Sequence, residues 1–215
     1  IDTFNYKGGL IRDFFMTASL EKNLLKFNQF SFQFPGGSDL NLNGALSNFD
    51  TTPKFIGKVN LKTNNFQQVQ KWLNITKFET PKNRLREMRL KSELIINRDN
   101  VKFQNLFLDF DRSRVMGAVT IATKKRRSFS ANLILDQINI DSYNKKSKVL
   151  KSNLKGKTIS PSSAQIPDSG FSTFNYFFLD NFDAAIKVNI KNLIYKKHSF
   201  RGIEIFSTLQ NSNLK

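Results

Sequence analysis

The sequence predicts an all-β fold, an antiparallel sheet of repeated hairpins with one short amphipathic helix. Three observations predict it. Apolar residues recur at every second position through most of the chain, the gaps between these runs hold turn residues, and a single segment switches to helical spacing.

The strand signals come in order. Phe14, Met16, Ala18 and Leu20 open the pattern, and Phe30, Phe32 and Phe34 follow with Ser31 and Gln33 between them. Leu40, Leu42, Gly44 and Leu46 alternate with Asn41, Asn43 and Ala45, and Phe55, Gly57, Val59 and Leu61 with Ile56, Lys58 and Asn60. Such runs place apolar side chains on one face and mostly polar ones on the other, the pattern of an antiparallel sheet wet on one side. The second half repeats it over Met88–Ile96, Leu106–Phe110, Val115–Ile121, Phe129–Leu135, Ile186–Ile190 and Ile203–Leu209. Between the runs lie Pro35-Gly36-Gly37, Thr52-Pro53, Asn97-Arg98-Asp99-Asn100, Asp111-Arg112-Ser113 and Lys124–Arg127, all suited to turns. The exception is Asn64–Ile75, where Phe66, Val69, Trp72 and Leu73 sit at helical spacing behind an Asn N-cap. A weaker helical pattern occupies Ser172–Asp180.

Organisation follows from composition. Lys145–Lys157 holds six lysines and no acid, and Ile159–Gly170 reads ISPSSAQIPDSG, which predicts a mobile loop. It separates a main β unit, residues 1–144, from the opening of a further one, residues 171–215. An internal echo runs through the chain: the hairpin around Gly44 and the hairpin around Gly117 share a Gly-bearing strand, a turn and a following apolar strand. Repeated hairpins of this kind build an elongated sheet that grows by addition.

The chain has 215 residues, 39% of them hydrophobic, enough for a sizeable core and against general disorder. Phe numbers 22, there is no Cys, and His198 is the one histidine. Disulfides, thiolate metal centres and cysteine nucleophiles are thereby excluded. No run of 18 apolar residues exists for a membrane-spanning helix. The opening Ile1 and the lack of a basic or apolar leader suggest part of a longer protein. Lys and Arg outnumber Asp and Glu by 34 to 17, giving a net charge of +17. That favours phosphate-bearing surfaces, although abundant Lys, Asn, Phe and Ile also fit a compositional bias.

Chemistry-bearing patterns are few. Asp39-x-Asn41-x-Asn43-Gly44 with Asp50 approaches a calcium-loop spacing, but Pro35-Gly36-Gly37 before it and Thr51-Thr52-Pro53 after it deny it flanking helices. Polar residues on the wet face of a strand account for it better. Asp109 and Asp111 resemble a carboxylate pair but sit beside Arg112 and Arg114, which points to local ion pairing. His198 follows two lysines in a turn and reads as solvated. No nucleophile elbow, phosphate loop or dinucleotide fingerprint is present, so the chain reads as non-catalytic, without cofactor or metal. Basic residues cluster at Lys124, Lys125, Arg126 and Arg127, around the Met88 strand and in the linker. The Phe residues fall mostly on the apolar face rather than forming a stacking platform, and no RNA-binding signature accompanies them.

Several segments resemble the AsmA family. Phe55–Ile75, FIGKVNLKTNNFQQVQKWLNI, is similar to its pattern of two strands, a polar turn and a short helix ending in Trp-Leu. Leu90–Tyr143 resembles the following block, with NLFLDF, the Gly-bearing RVMGAVTI and the closing SANLILDQINIDSY. Asn181–Leu209 looks like the start of the next unit. The resemblance implies a curved β-groove, apolar inside and polar outside, in a protein anchored in the Gram-negative inner membrane with its mass in the periplasm. It further implies phospholipid handling in outer-membrane biogenesis.

On that reading the groove candidates are Phe32, Phe34, Leu40, Leu42, Val59 and Leu61 in the first half. In the second they are Leu106, Leu108, Phe110, Val119, Ile121, Leu133 and Leu135. Lys124, Lys125, Arg126 and Arg127 would meet anionic head groups. The partners expected are phospholipids or other anionic envelope lipids, and other envelope proteins, rather than nucleic acid. Two alternatives use the same residues differently: an envelope scaffold with a packed core, and a basic nucleic-acid-binding β domain, which steeply salt-dependent oligonucleotide binding would reveal.

Overall fold

A computed structural model describes residues 3–75, 81–122, 127–143, 182–210 and 213–214. The strands of the first half are β1 (Thr3–Tyr6), β2 (Gly9–Glu21), β3 (Leu24–Phe34), β4 (Ser38–Ser47) and β5 (Lys54–Thr63). Helix α1 (Phe66–Leu73) follows, then β6 (Met88–Asn97), β7 (Asn100–Phe110), β8 (Ser113–Ala122) and β9 (Arg127–Asn139). After a short 3-10 turn (Ile140–Ser142) come β10 (Phe182–Tyr195), β11 (His198–Gln210) and β12 (Asn213–Leu214). The twelve described strands form one open sheet in sequence order, so each hairpin simply adds its strands to the edge left by the last. The strands on either side of the 145–170 segment therefore belong to a single sheet.

The turns work as their residues dictate. Asn97 Oδ1 accepts from the Asp99 and Asn100 amides at 3.0 and 2.8 Å, closing the β6–β7 hairpin. In the β10–β11 hairpin Lys196 and Lys197 take φ of 50° and 64°, the twist that a two-residue hairpin loop requires. The Asp141 carboxylate anchors this loop, accepting from the Lys196 and Lys197 amides at 2.7 and 2.8 Å. Those bonds hold the Asp141 carboxyl below the usual carboxylate range. A depressed pKa means that the contribution is present above the unfolded value, about 3.9, and is lost as pH falls through the folded value. The Lys196 and Lys197 amide proton shifts should therefore titrate together in the acid range below that value. Asp141→Asn should abolish the titration, measured by NMR.

Three strands carry a phase slip, β2 among them, whose register against β3 shifts between Arg12 and Phe15. The β3–β4 register jumps between Phe27 and Phe30, and the β7–β8 register between Phe103 and Leu106. The β6–β7 register shifts at the same place on β7, between Lys91 and Glu93. Each slip is a β-bulge, which inserts an extra residue and bends the strand. It keeps Leu25 and Phe27 on the same face as Phe30, Phe32 and Phe34, and Val101 and Phe103 on that of Leu106, Leu108 and Phe110.

One pairing departs from the antiparallel expectation. β10 runs parallel to β9, with Phe182 opposite Arg127 and Ile194 opposite Asn139. Alternation within a strand reports its faces and not its direction, so the sequence pattern could not show this. To run parallel, the chain must return the length of the 13-residue β9, and parallel strands need a crossover of about a dozen residues or more. The Lys-, Ser- and Pro-rich segment 145–170 and the helix expected over Ser172–Asp180 fall in that connection and lie outside the described residues.

Helix α1 forms where the sequence places it, slightly shorter than Asn64–Ile75. Asn65 Oδ1 accepts from the Gln68 amide at 3.3 Å, and Asn74 ends the helix at φ 54°. Its buried Val69 packs on Ile11 and Phe34 at one end of the apolar face. Trp72 Nε1 donates to the Tyr6 carbonyl at 2.8 Å, and its ring lies 5.7 Å from that of Phe34. Beneath the helix, the buried Ser38 and Thr63 hydroxyls are 2.8 Å apart, and Thr63 Oγ1 accepts from the Asn65 amide.

Candidate lipid-facing surface

Strand register assembles one continuous apolar face. Phe32, Leu40, Leu61, Leu90 and Leu108 stand opposite one another in turn from β3 to β7. Val115, Leu135, Ile190 and Ile203 prolong the same row to β11. A second row runs Leu46, Phe55, Ile96, Val101, Ile121 and Phe129. Leu42 and Val59 pair between them on β4 and β5. Val119 faces Phe103 and Ala131, and Leu133 faces Gly117 and Val188. Phe34 and Phe110 belong to the row that begins at Ser38, Thr63 and Met88. All thirteen residues singled out from the sequence thus share this face.

Their burial describes its shape. Phe34, Val59, Leu106 and Leu135 are 8–9% exposed, and Ile121 is exposed at 39%. The others are half-buried. Helix α1 covers only the end near Phe34. Further along, Val59 is buried with Phe55 and Leu94, and Leu135 with Val115 and Ile190, each among neighbours on the same face. On a flat single layer such side chains would stand in water. With no second layer over these residues among the described ones, burial this deep is consistent with a face that curls inward, so that side chains on adjacent strands shield one another. Phe27, Phe55, Leu94 and Phe103 join the same face and were not singled out beforehand. For Phe27 and Phe103 the bulges hide the signal, because they put the run out of step.

The basic cluster is described only in part. Arg127 opens β9 and is exposed, while Lys124, Lys125 and Arg126 lie outside the described residues. The calcium-like spacing falls on β4, where Asp39, Asn41 and Asn43 alternate along a straight strand opposite Lys62, Asn60 and Lys58. Oxygen ligands strung along a strand do not wrap an ion as a loop does. Asp109 pairs with Arg114 at 2.9 Å, which raises the Arg114 pKa. Asp111 instead accepts from the Leu85 amide at 2.9 Å and from the Tyr143 hydroxyl at 2.6 Å. Burial first, and then that bond, hold the Tyr143 phenol well above its usual range. Both carboxylates are thus committed to structure. His198 starts β11 in an exposed position opposite Tyr195. No described helix is long and apolar enough to cross a membrane.

No family model, curated protein or solved structure matches this chain.

Proposed function

We propose that this chain handles lipid in the cell envelope without catalysis, holding or conducting phospholipid along the apolar face of its curved sheet. One observation carries the reading: a single apolar face that runs from β3 to β11 and, among the described residues, has only α1 set over one end. Acyl chains laid on such a face leave water at a gain of about 0.8 kcal/mol per CH₂. Rows of similar apolar side chains offer no deep pocket to trap a chain, so a lipid can slide along them. Head groups stay in water at the open side, where exposed cations such as Arg127 meet phosphate. The resemblance to the AsmA family supports the same reading and adds a periplasmic location, with the inner-membrane anchor elsewhere in the parent protein.

The test is native mass spectrometry of the purified chain, with extraction of bound lipid. Phospholipid should co-purify and be lost in Val119→Asp protein that keeps its far-ultraviolet circular dichroism. Lys145→Glu should retain it. A second reading draws on the deep burial of Phe55, Val59 and Leu94, which suits a packed envelope scaffold with no lipid. Stable, monodisperse, lipid-free protein would overturn lipid handling by this chain and leave the scaffold.

A further inference from the structure

The repeated hairpin has a consequence on the opposite, polar face. The β3 and β7 bulges each bear an adjacent pair of amide residues, Asn28-Gln29 on β3 and Gln104-Asn105 on β7. All four are exposed. Between the bulges the polar face is hollowed into a trough of about 610 Å³ that spans β3 to β7. Asn28 and Gln29 form one wall and Asn105 the other, with Asn41, Asn43 and Asn60 on the floor. Lys58, Lys91 and Glu93 also line it. Beyond β7 a second hollow of about 500 Å³ continues the band past Gln104 and Asn105 to Asn132.

Two features of these amides bear on what the trough could hold. Asn is disfavoured in strand interiors, where it gains nothing from packing on a pleated surface, yet Asn41, Asn43 and Asn60 sit within β4 and β5. Several other Asn side chains have structural work: Asn5 and Asn97 close turns, Asn65 caps α1, and Asn192 accepts from Ser199. None of the six trough amides makes a side-chain hydrogen bond to another described residue. Each therefore presents a carbonyl acceptor and two N–H donors to the trough. The volume lies within the range of about 300–1,000 Å³ usual for ligand sites.

We infer that this trough binds a neutral oligosaccharide. A carboxamide donates and accepts side by side, which matches the adjacent hydroxyls of a sugar ring, themselves both donors and acceptors. A phosphate or carboxylate ligand would call for a concentration of positive charge. Here two lysines are balanced in part by Glu93, and the cations are outnumbered by amides. The band also continues from one hollow to the next, which suits a chain of sugars better than a single small molecule. Because the site lies on the face opposite the proposed lipid surface, it stands or falls independently of that reading.

The experiment is an NMR titration of the whole chain with maltohexaose and, separately, chitohexaose, following the Asn and Gln side-chain amide signals. Inorganic phosphate serves as the control. At least one oligosaccharide should shift the Asn41, Asn43 and Asn60 side-chain signals. The double variant Asn41→Thr/Asn60→Thr places residues suited to strands at these exposed positions and should keep the fold while weakening binding at least tenfold. No shift at 20-fold molar excess overturns the inference, as do shifts produced only by phosphate. Shifts unchanged in the folded double variant place the binding elsewhere and overturn it as well.

Discussion

Phe55→Ala should cost about 3–5 kcal/mol, enough to lower the melting temperature by roughly 10 °C for a domain of this size. The reason lies in what the ring covers. Gly44 and Gly57 stand opposite each other on β4 and β5, leaving a gap of two side chains in the apolar face. The Phe55 ring fills that gap: a Cβ built on Gly57 would meet its Cζ at 2.6 Å, and one on Gly44 would meet it at 2.8 Å. Its other side packs on Phe27 with ring centroids 6.2 Å apart, and it is buried with Val59 and Leu94. Truncation would open a cavity floored by bare backbone, and backbone hydrogen bonded into two ladders cannot collapse to close it. Urea denaturation of the variant and the parent would give the difference. A loss under 1 kcal/mol would mean that water or lipid already occupies the space around the ring, and the packed description of this region would be wrong.

The same residue illustrates what could be read from the sequence. Alternation placed Phe55 on the apolar side of a strand, and every strand expected from alternation formed. The helix followed from four apolar residues at helical spacing behind an Asn. Short β1 was not foreseen, because TFNY is too short to show a period. More instructive are β3 and β7, whose expected runs began only at Phe30 and Leu106. In β3, Leu25 and Phe27 are at odd positions and Phe30, Phe32 and Phe34 at even ones; Asn28-Gln29 makes the change of phase. In β7 Gln104-Asn105 does the same. A bulge breaks the period while keeping the face, so a search for strict alternation stops at it. The echo between the Gly44 and Gly117 hairpins was the trace of this device in the sequence, since Gly44 faces Phe27 and Gly117 faces Leu106, the residues at the edges of the two bulges. Likewise, the thirteen groove candidates could be placed on one face from parity alone. Their burial depends on how far the sheet curls, which no single strand encodes.

Replacing Gly117 with Ala should be among the most damaging changes of a single methyl group, costing roughly 2–5 kcal/mol from backbone strain and overpacking together. Gly117 lies within β8 at φ 148°, a conformation that residues with a Cβ rarely adopt. A Cβ there would also run into the Asn132 carbonyl, with Leu133 Cα only 3.0 Å away. These are backbone atoms of β9, fixed by its pairing on both sides, so they cannot yield as a flexible side chain would. Gly202→Ala separates the two contributions. Gly202 has φ of 66° on β11, with nothing within 4 Å of the added carbon. Its substitution should therefore cost only the left-handed backbone, about 1–2 kcal/mol. If denaturation shows equal losses for the two variants, close approach of β8 to β9 is not what Gly117 provides. If Gly117→Ala is much the worse, the glycine is holding β8 against β9 beside the β7 bulge, and the amide-lined hollow that Gly117 and Asn132 share depends on that contact. The oligosaccharide titration would then lose its Asn132 response in Gly117→Ala protein while keeping that of Asn41, which lies on β4, four strands from Gly117.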